Sequence, residues 1–340
     1  MGEALSGVPE VLQGLSFSVV VPARVRSAED ADNLRRCVAA LFAAQPAPAE
    51  VIVVDDGSEA AIELDTRVTT IRQANAGPAA ARNAGAATAA GNVLVFVDAD
   101  IEIPGDTFAR LAAGFAAEPD AAAIWGTVTA AHPHSGLVSR YKNLCHRHFT
   151  LQQERRTRHL TTMLAAVRRG AFEAAGGFDT RLTTVSVEDV EFGRTLHDGG
   201  SAVILDRDLA AVHRHRFTLG RAVRNDFHKA RHMVRATLDR RARGASSVTV
   251  AGPGERRQLH YLLGVPLGAG AVLAALNGRM GLAGVLTGAL VAWERDLVGF
   301  LRAEGGDGFA LACVPLMILE RTTVALAVGA GTLDHLRGRR

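Results

Sequence analysis

The sequence has few of the residues that build disulfide-rich, zinc-binding or nucleic-acid-binding proteins. Its three cysteines, among 340 residues, are widely separated and form no Cys-x-x-Cys pair. A disulfide framework or a cysteine-based zinc site is therefore not expected, and a reducing compartment fits. Only two of the 38 basic residues are lysines, and 35 acidic residues leave a net charge of +3. That charge is too small to indicate a nucleic acid partner.

Three longer signals are also absent. The first 17 residues contain no basic segment followed by an apolar run, so we expect no secretory signal. No Gly-x-Gly-x-x-Gly follows the first apolar segment, which argues against an NAD-binding Rossmann enzyme. A clean apolar run of about 20 residues, as a membrane span needs, is missing. What remains is a globular composition with 48% apolar and 21% charged residues, enough for one large domain or two ordinary ones.

Short apolar segments alternate with helical patterns along the first two thirds of the chain. The β-branched runs predict strands at 17–22, 51–58, 69–75, 93–100, 121–130 and 201–206. The apolar spacing and the stop signals predict helices at 30–45, 77–91, 106–117, 170–176, 187–198 and 218–243. This order predicts an α/β fold with a mostly parallel sheet and helices on both faces.

Acidic pairs follow two of the predicted strands. Asp55 and Asp56 precede Gly57-Ser58, and Asp98-Ala99-Asp100 closes the most apolar strand. In open α/β sheets ligands bind beyond the carboxyl ends of strands, where such acids can hold ribose hydroxyls or a hard divalent cation. Extended backbone would point Asp98 and Asp100 to one side. The alternative is that both pairs only stabilise turns.

Six segments stand out by their order and spacing: VVVP at 19–22, VIVVDDGS at 51–58, NAGPAAARNAG at 75–85, VLVFVDAD at 93–100, VRRGAFEAAGGFD at 167–179 and SVEDVEFGRTL at 186–196. Together they resemble the family 2 glycosyltransferases over roughly residues 17–235. The resemblance implies a GT-A fold of Rossmann-like type, a UDP-, GDP- or TDP-linked sugar donor, Mn²⁺ or Mg²⁺, and inversion at the anomeric carbon. The acceptor would carry a hydroxyl, as in a lipid or small natural product.

The same resemblance implies roles for individual residues. Matched to the family positions, the nucleotide-binding residues would be Pro22, Asp55, Asp56, Arg82 and Asp98. The acids of the Asp-x-Asp motif, Asp98 and Asp100, would bind the metal, and His213 rather than His215 would complete its coordination. Lys142 resembles a position in a membrane-linked subgroup of the family. Trp125 and Tyr141 could stack on a sugar or pack in the core.

Glu188 and Asp189 begin a predicted helix and allow two interpretations. Ser186 with Asp189 has the form of a capping box, and both acids complement a helix dipole. The resemblance implies instead that Asp189, aided by Glu188, deprotonates the acceptor hydroxyl, as inverting transfer requires. We favour this catalytic interpretation because GGFD precedes the pair at the family spacing.

The C-terminal third is apolar and interrupted by charges. Residues 261–276, 281–293, 308–319 and 322–333 lack charge, and basic residues flank the block on both sides. Positive flanks would place both ends in the cytosol. We therefore expect a catalytic domain at 1–245 and an apolar helical region at 246–340 on the cytoplasmic face of the cell membrane. A soluble helical domain and a dimer interface are the alternatives.

These features favour a metal-assisted hexosyltransferase that transfers a single sugar. The Gln-x-x-Arg-Trp element of processive synthases is absent, and FHKARHM at 227–233 does not match it. Two other functions stay open. A nucleotidyltransferase would share the nucleotide-binding layout but has no use for the GGFD and Glu188-Asp189 elements. A non-catalytic glycosyltransferase-like binding protein would not need Asp98, Asp100 and Asp189.

Overall fold

The computed structural model describes residues 14–60, 62–181, 188–242 and 253–337. The chain divides into two compact units. The first, here the sheet unit, comprises the chain up to Pro133 together with Gln153–His215. The second, here the helical unit, comprises His134–Gln152 and the chain from Arg216 onward.

In the described part of the sheet unit, eight strands form one mixed sheet. Its strands are β1 (Phe17–Ala23), β2 (Glu50–Asp56), β3 (Val68–Gln73), β4 (Val93–Val97), β5 (Ile101–Glu102), β6 (Ala121–Val128), β7 (Leu164–Arg168) and β8 (Ala202–His213). They lie in the order β3-β2-β1-β4-β7-β6-β8-β5. Strands β1 to β4 pair in parallel, as do β6 and β8. Strand β7 is antiparallel to both of its neighbours, and β5 is antiparallel to β8.

Helices cover both faces of this sheet, as predicted. They are α1 (Ala28–Ala43), α2 (Pro78–Thr88), α3 (Thr107–Ala117), α5 (Arg169–Ala174) and α6 (Glu188–Asp198). Alternate side chains of the central strands point to opposite faces, so Val19 packs with Leu34 of α1 whereas Val20 packs on the α2 side. Gly85 lets α2 approach closely, because a Cβ there would overlap Val20.

Two details of the sheet differ from the sequence prediction. No strand was predicted at β7, whose reversed direction makes the sheet mixed rather than mostly parallel around its centre. Strand β4 ends at Val97, and residues 98–100 form a turn in which Ile101 N donates to Asp98 O at 3.0 Å. The expectation of extended backbone through Asp98 and Asp100 is therefore wrong, because the chain bends to begin β5.

Over its described residues, the helical unit contains five helices. They are α4 (Leu137–Leu151), α7 (Leu219–Ala242), α8 (Pro253–Leu276), α9 (Met280–Trp293) and α10 (Arg295–Leu336), the last interrupted at Gly306, where φ is +82°. Helix α10 is long and apolar enough to cross a membrane by length and composition alone. Partly buried charges lie between the helices of this unit. Lys142 Nζ is 2.8 Å from Asp226 Oδ1 and 3.1 Å from Glu320 Oε1.

The predicted boundary at 245/246 lies outside the described residues. Among those described, α4 and α7 group with the C-terminal helices rather than with the sheet unit. The packing reason is visible in the side chains, since Lys142 of α4 and Asp226 of α7 meet Glu320 of α10. The expected division at 1–245 and 246–340 stays a prediction about where the catalytic part ends.

Candidate functional site

The turn after β4 separates the two acids of the Asp-x-Asp motif. The Asp98 carboxylate faces Arg82, with Arg82 Nη2 2.8 Å from Asp98 Oδ1. The Asp100 carboxylate faces two histidines at the end of β8 instead. The charges still influence each other. Burial first, and then the charge of Asp100, raise the pKa of Asp98 against the opposing effect of Arg82.

Arg82 lies on α2 and bridges two acids from distant parts of the chain. Its Nη1 is 2.8 Å from Glu188 Oε1, and its side chain is only 3% exposed. Burial opposes the guanidinium charge, but Asp98, Glu188 and Asp189 outweigh it and raise the pKa of Arg82. The sequence prediction placed Arg82 beside the nucleotide. In the structure two of its nitrogen atoms lie on carboxylates, and the role beside the nucleotide stays a prediction.

Glu188 and Asp189 form the first turn of α6 and are both buried. Asp189 Oδ1 accepts from Val190 N at 2.8 Å, and its Oδ2 accepts from Thr162 N at 3.4 Å. Burial raises the pKa of both acids, and the charge of Asp189 raises that of Glu188 further. The predicted capping partner, Ser186, lies outside the described residues, so the capping box stays a prediction.

Asp100 is enclosed by His213 and His215. Antiparallel pairing of Ile101 with His213 brings the end of β8 beside the turn. Asp100 Oδ2 lies 3.1 Å from His215 Nδ1 and 3.7 Å from His213 Nε2. Burial would raise the pKa of Asp100, but the two histidines hold it well below its usual range. Both histidines are therefore candidate metal ligands. His215, which the sequence interpretation ranked second, lies nearer to Asp100.

The Asp55-Asp56-Gly57-Ser58 segment organises the loops around the carboxyl end of β2. Asp56 Oδ1 accepts from Ala76 N at 2.8 Å and its Oδ2 from Gly77 N at 2.9 Å, which fixes the entry to α2. Asp55 Oδ1 accepts from Ser58 N at 2.8 Å. Both acids are buried, while Pro22 is half-buried near the end of β1 opposite Val54. The turn-stabilising interpretation thus has a physical basis here, alongside any role toward a nucleotide.

Other residues singled out from sequence lie in packed environments. Trp125 is fully buried in β6, and Tyr141 is buried in the helical unit, where its hydroxyl donates to Glu320 at 2.6 Å. Both therefore pack in a core. Lys142 pairs with Asp226 and Glu320 in the helical unit. Sequence reasoning missed the Arg82–Glu188 ion pair, because its partners are 106 residues apart and no local pattern links them.

Comparisons with known proteins agree with this architecture. Residues 18–176 match the model of glycosyl transferase family 2. A pre-mycofactocin glycosyltransferase of Mycobacterium tuberculosis is 28% identical over 216 residues, which cover 59% of this chain and 43% of that protein. Glycosyltransferase GlyA of Streptococcus pneumoniae serotype 4 is 38% identical over 92 residues, 25% of this chain and 13% of that protein. The chain thus spans less than half the length of the curated relatives it matches.

One solved structure covers nearly the whole chain. The mannosyltransferase PcManGT from Pyrobaculum calidifontis, in complex with GDP-Man and Mn²⁺, has a TM-score of 0.56 at 18% identity. It aligns with 98% of this chain and 90% of its own. At that identity the likeness concerns the fold, and it confirms the α/β fold class expected from the sequence.

Proposed function

We propose that this chain, which carries a glycosyl transferase family 2 domain over residues 18–176, transfers a hexose from a nucleotide-diphosphate sugar to a hydroxyl acceptor. The observation that supports this most is the pair of ion pairs made by Arg82. They bring the acid after β4 and the acids at the start of α6 to one guanidinium. Acids with donor-binding and base roles in the family resemblance are therefore neighbours in space.

We assign the general base to Asp189. Its carboxylate accepts the proton of the acceptor hydroxyl while the acceptor oxygen attacks the anomeric carbon, and the nucleoside diphosphate leaves with the bonding electrons from the opposite face. The anomeric configuration is therefore inverted. Burial supports this role, because a raised pKa makes the Asp189 carboxylate a stronger base than an exposed aspartate.

A divalent cation fits this site when the donor supplies part of its coordination. Asp100 with His213 and His215 offers one carboxylate and two imidazoles, a donor set acceptable to Mn²⁺. Within the described parts of the chain, no three His, Cys, Asp or Glu side chains already form a metal cluster. The donor diphosphate would therefore complete the shell, as is usual for ions shared with phosphates. The ion would neutralise charge on the departing diphosphate.

The test is a panel of UDP-, GDP- and TDP-sugars with the purified chain and Mn²⁺. Release of the free nucleoside diphosphate in the wild type, lost in Asp189→Asn, is the expected result. Consumption of added pyrophosphate, with formation of a nucleoside triphosphate and a sugar 1-phosphate from the donor, would instead favour the nucleotidyltransferase alternative. Nucleotide binding without release, for every donor and with sugar alcohols or lipid alcohols as acceptors, would favour a non-catalytic binding protein. The anomeric configuration of the product, read by NMR, tests inversion.

We further propose that the chain acts at the cytoplasmic face of a membrane through α8 and α9. Helix α9 has no charged residue over its 14 positions and exposes Met280, Leu282 and Val285. At about 1.5 Å per residue it is about 21 Å long, shorter than the roughly 30 Å hydrocarbon core. Insertion into one leaflet suits this length better than a full span.

Helix α10 suits a span less well despite its apolar sequence. Its Asp334 pairs with Arg231 of α7, and its Glu320 pairs with Lys142 of α4. Placing α10 across a bilayer would carry α7, a strongly basic helix, into the hydrocarbon. Each arginine or lysine there would cost about 2.5–3.5 kcal/mol.

Flotation of the purified chain with anionic liposomes tests this attachment. Wild-type protein should float, and Val285→Glu should stay with the soluble fraction because it places a charge on the exposed face of α9. Leu219→Glu on α7 is the matched control and should float like the wild type. A wild type that never floats and instead forms dimers in solution would point to a second copy as the occupant of this face.

A further inference from the structure

We propose that Arg82 is a positioning residue that holds Asp98 and Glu188 in fixed places, and that Glu188 serves to anchor Arg82 rather than to touch substrate. The inference rests on the proposed glycosyl transfer and assigns new roles within it. It changes the resemblance-based expectation for both residues, which placed Arg82 on the nucleotide and Glu188 among the catalytic acids.

The geometry of the guanidinium supports this role. Its Nη2 meets Asp98 and its Nη1 meets Glu188, each at 2.8 Å. The planar fork of arginine can serve two carboxylates at once, whereas the ammonium of lysine is a single point charge. The Arg82 Cζ also lies 5.7 Å from the centre of the Phe178 ring. Acids on two sides and an aromatic ring therefore fix the side chain.

The neighbouring residue strengthens the same connection. Asn83 Nδ2 donates to Phe178 O at 2.8 Å, and Phe178 N donates to Asn83 Oδ1 at 2.9 Å. Gly177, with a φ of +73°, makes room for this contact, because a Cβ there would meet Asn83 Oδ1. Two successive residues of α2 thus hold Phe178 and the first residue of α6.

The burial of Glu188 argues against direct contact between its side chain and the substrate. Its side chain is 1% exposed and faces Arg82, whereas the Asp98 side chain is 30% exposed. Of these three side chains, Asp98 is therefore the one accessible to a nucleotide approaching from solvent.

Separate measurements of donor binding and of turnover test this assignment. Arg82→Lys keeps the charge but contacts only one carboxylate at a time, so we expect kcat to fall by about 10–100-fold, the usual range for supporting contacts. The Kd for the nucleoside diphosphate with Mn²⁺, measured by calorimetry, should change by no more than about threefold. Glu188→Gln retains an oxygen that accepts from Arg82, so it should keep most of the wild-type kcat, whereas Glu188→Ala should lose as much as Arg82→Lys.

A matched control is the Arg110–Asp206 pair, which joins α3 to β8 in the same unit with Arg110 Nη2 3.2 Å from Asp206 Oδ1. Arg110→Met should leave kcat near the wild-type value. An equal loss in Arg110→Met would mean that general stability explains the effect. A raised donor Kd with unchanged kcat in Arg82→Lys would mean that Arg82 contacts the nucleotide. Glu188→Gln as inactive as Glu188→Ala would make Glu188 a catalytic acid.

The proposed function itself is tested separately by the wild type. A wild type that releases no nucleoside diphosphate with any donor would reject glycosyl transfer, and with it any role of Arg82 in turnover. The ion pair would still show as coupling between Arg82→Lys and Glu188→Ala in the free energy of unfolding. Additive effects of the two substitutions on that free energy, in an active enzyme, would overturn the bridge.

Discussion

The two units of the molecule bury charge in different ways. In the sheet unit, three acids act on one guanidinium, that of Arg82: Asp98, Glu188 and Asp189. Asp100 lies beside His213 and His215 instead. In the described part of the helical unit, the partly buried Lys142 has Asp226 and Glu320, and the buried Arg321 has Glu294. The acids around Arg82 outnumber their cation by two, whereas those around Lys142 and Arg321 outnumber their cations by one.

This difference distinguishes a candidate functional site from charges that stabilise the packing of helices. Balanced buried charges need no further partner, and they specify how helices pack. A surplus of acids of which two, Glu188 and Asp189, are buried is costly unless a cation joins them or one of them takes a proton. A metal-bound donor would bring the cation, and an acceptor hydroxyl would bring the proton. The sheet unit is therefore where substitution should change chemistry, and the helical unit is where it should change stability.

The largest effect is expected at Asp189. Asp189→Asn should lower turnover by about 10²–10⁴-fold, because an amide cannot accept the acceptor's proton. The amide oxygen can still accept from Val190 N, so the free energy of unfolding should change by only about 1 kcal/mol. Melting temperature and kcat measured on one sample check both statements.

The control for this experiment is Glu191 on the same helix. Its carboxylate pairs with Arg194 at 2.7 Å, so Glu191→Gln should retain turnover. A lowered melting temperature with normal kcat in Asp189→Asn would identify a helix cap and move the search for the base to Glu191.

Removing a cation from the helical unit should change the free energy of unfolding and leave donor binding unchanged. Lys142→Met leaves the partly buried Asp226 and Glu320 side by side without their cation, which should lower the free energy of unfolding by about 3 kcal/mol. Denaturant titration measures the loss, and donor binding should stay unchanged. Arg302→Met, which breaks an exposed pair with Asp307 in the same unit, should have little effect. A loss of donor binding in Lys142→Met would contradict the division of roles between the units.

The acids around the turn after β4 should differ in how they affect metal dependence. Asp100→Asn should abolish the Mn²⁺-dependent part of nucleoside diphosphate binding, because Asp100 is the acid that faces two imidazoles. Asp98→Asn should weaken the same binding less, since one of its oxygens is engaged by Arg82. Calorimetry with and without Mn²⁺ measures both. Equal binding in the two variants and the wild type would remove the metal role of the motif.

Local sequence patterns predicted much of the sheet unit. The β-branched runs of β1, β2 and β4 and the small-residue helix α2 follow from periodicity and stop signals. The acids at strand ends could be found by position alone. Strand β7 was not predicted, because its five residues are mostly small and its pairing partners are distant in sequence. Strand β8 extends beyond the predicted 201–206, since the polar run at 206–208 hides its second half.

The partners within the site could not be predicted in the same way. That Arg82 would meet Glu188 depends on how α2 and α6 pack on one face of the sheet. That His215 would lie closer to Asp100 than His213 depends on the register of β5 with β8. Sequence motifs identify the candidate residues, but strand register and helix packing determine which of them are in contact.

The smallest expected effect concerns His159, a titratable residue of the sheet unit away from the acids, and the pH dependence of folding stability. Burial lowers the pKa of His159 to about 4, below its usual value of 6.5. The unfolded chain therefore binds this proton as the pH falls below about 6.5, while the folded chain does not until about 4. The free energy of unfolding should therefore decrease as the pH falls from about 6.5 to about 4. His159→Phe, which keeps a ring against Trp125, should lose this part of the acid sensitivity, whereas His197→Gln at the exposed end of α6 should retain it. Melting temperatures measured from pH 7 to pH 4 check this, and parallel curves for His159→Phe and the wild type would contradict it.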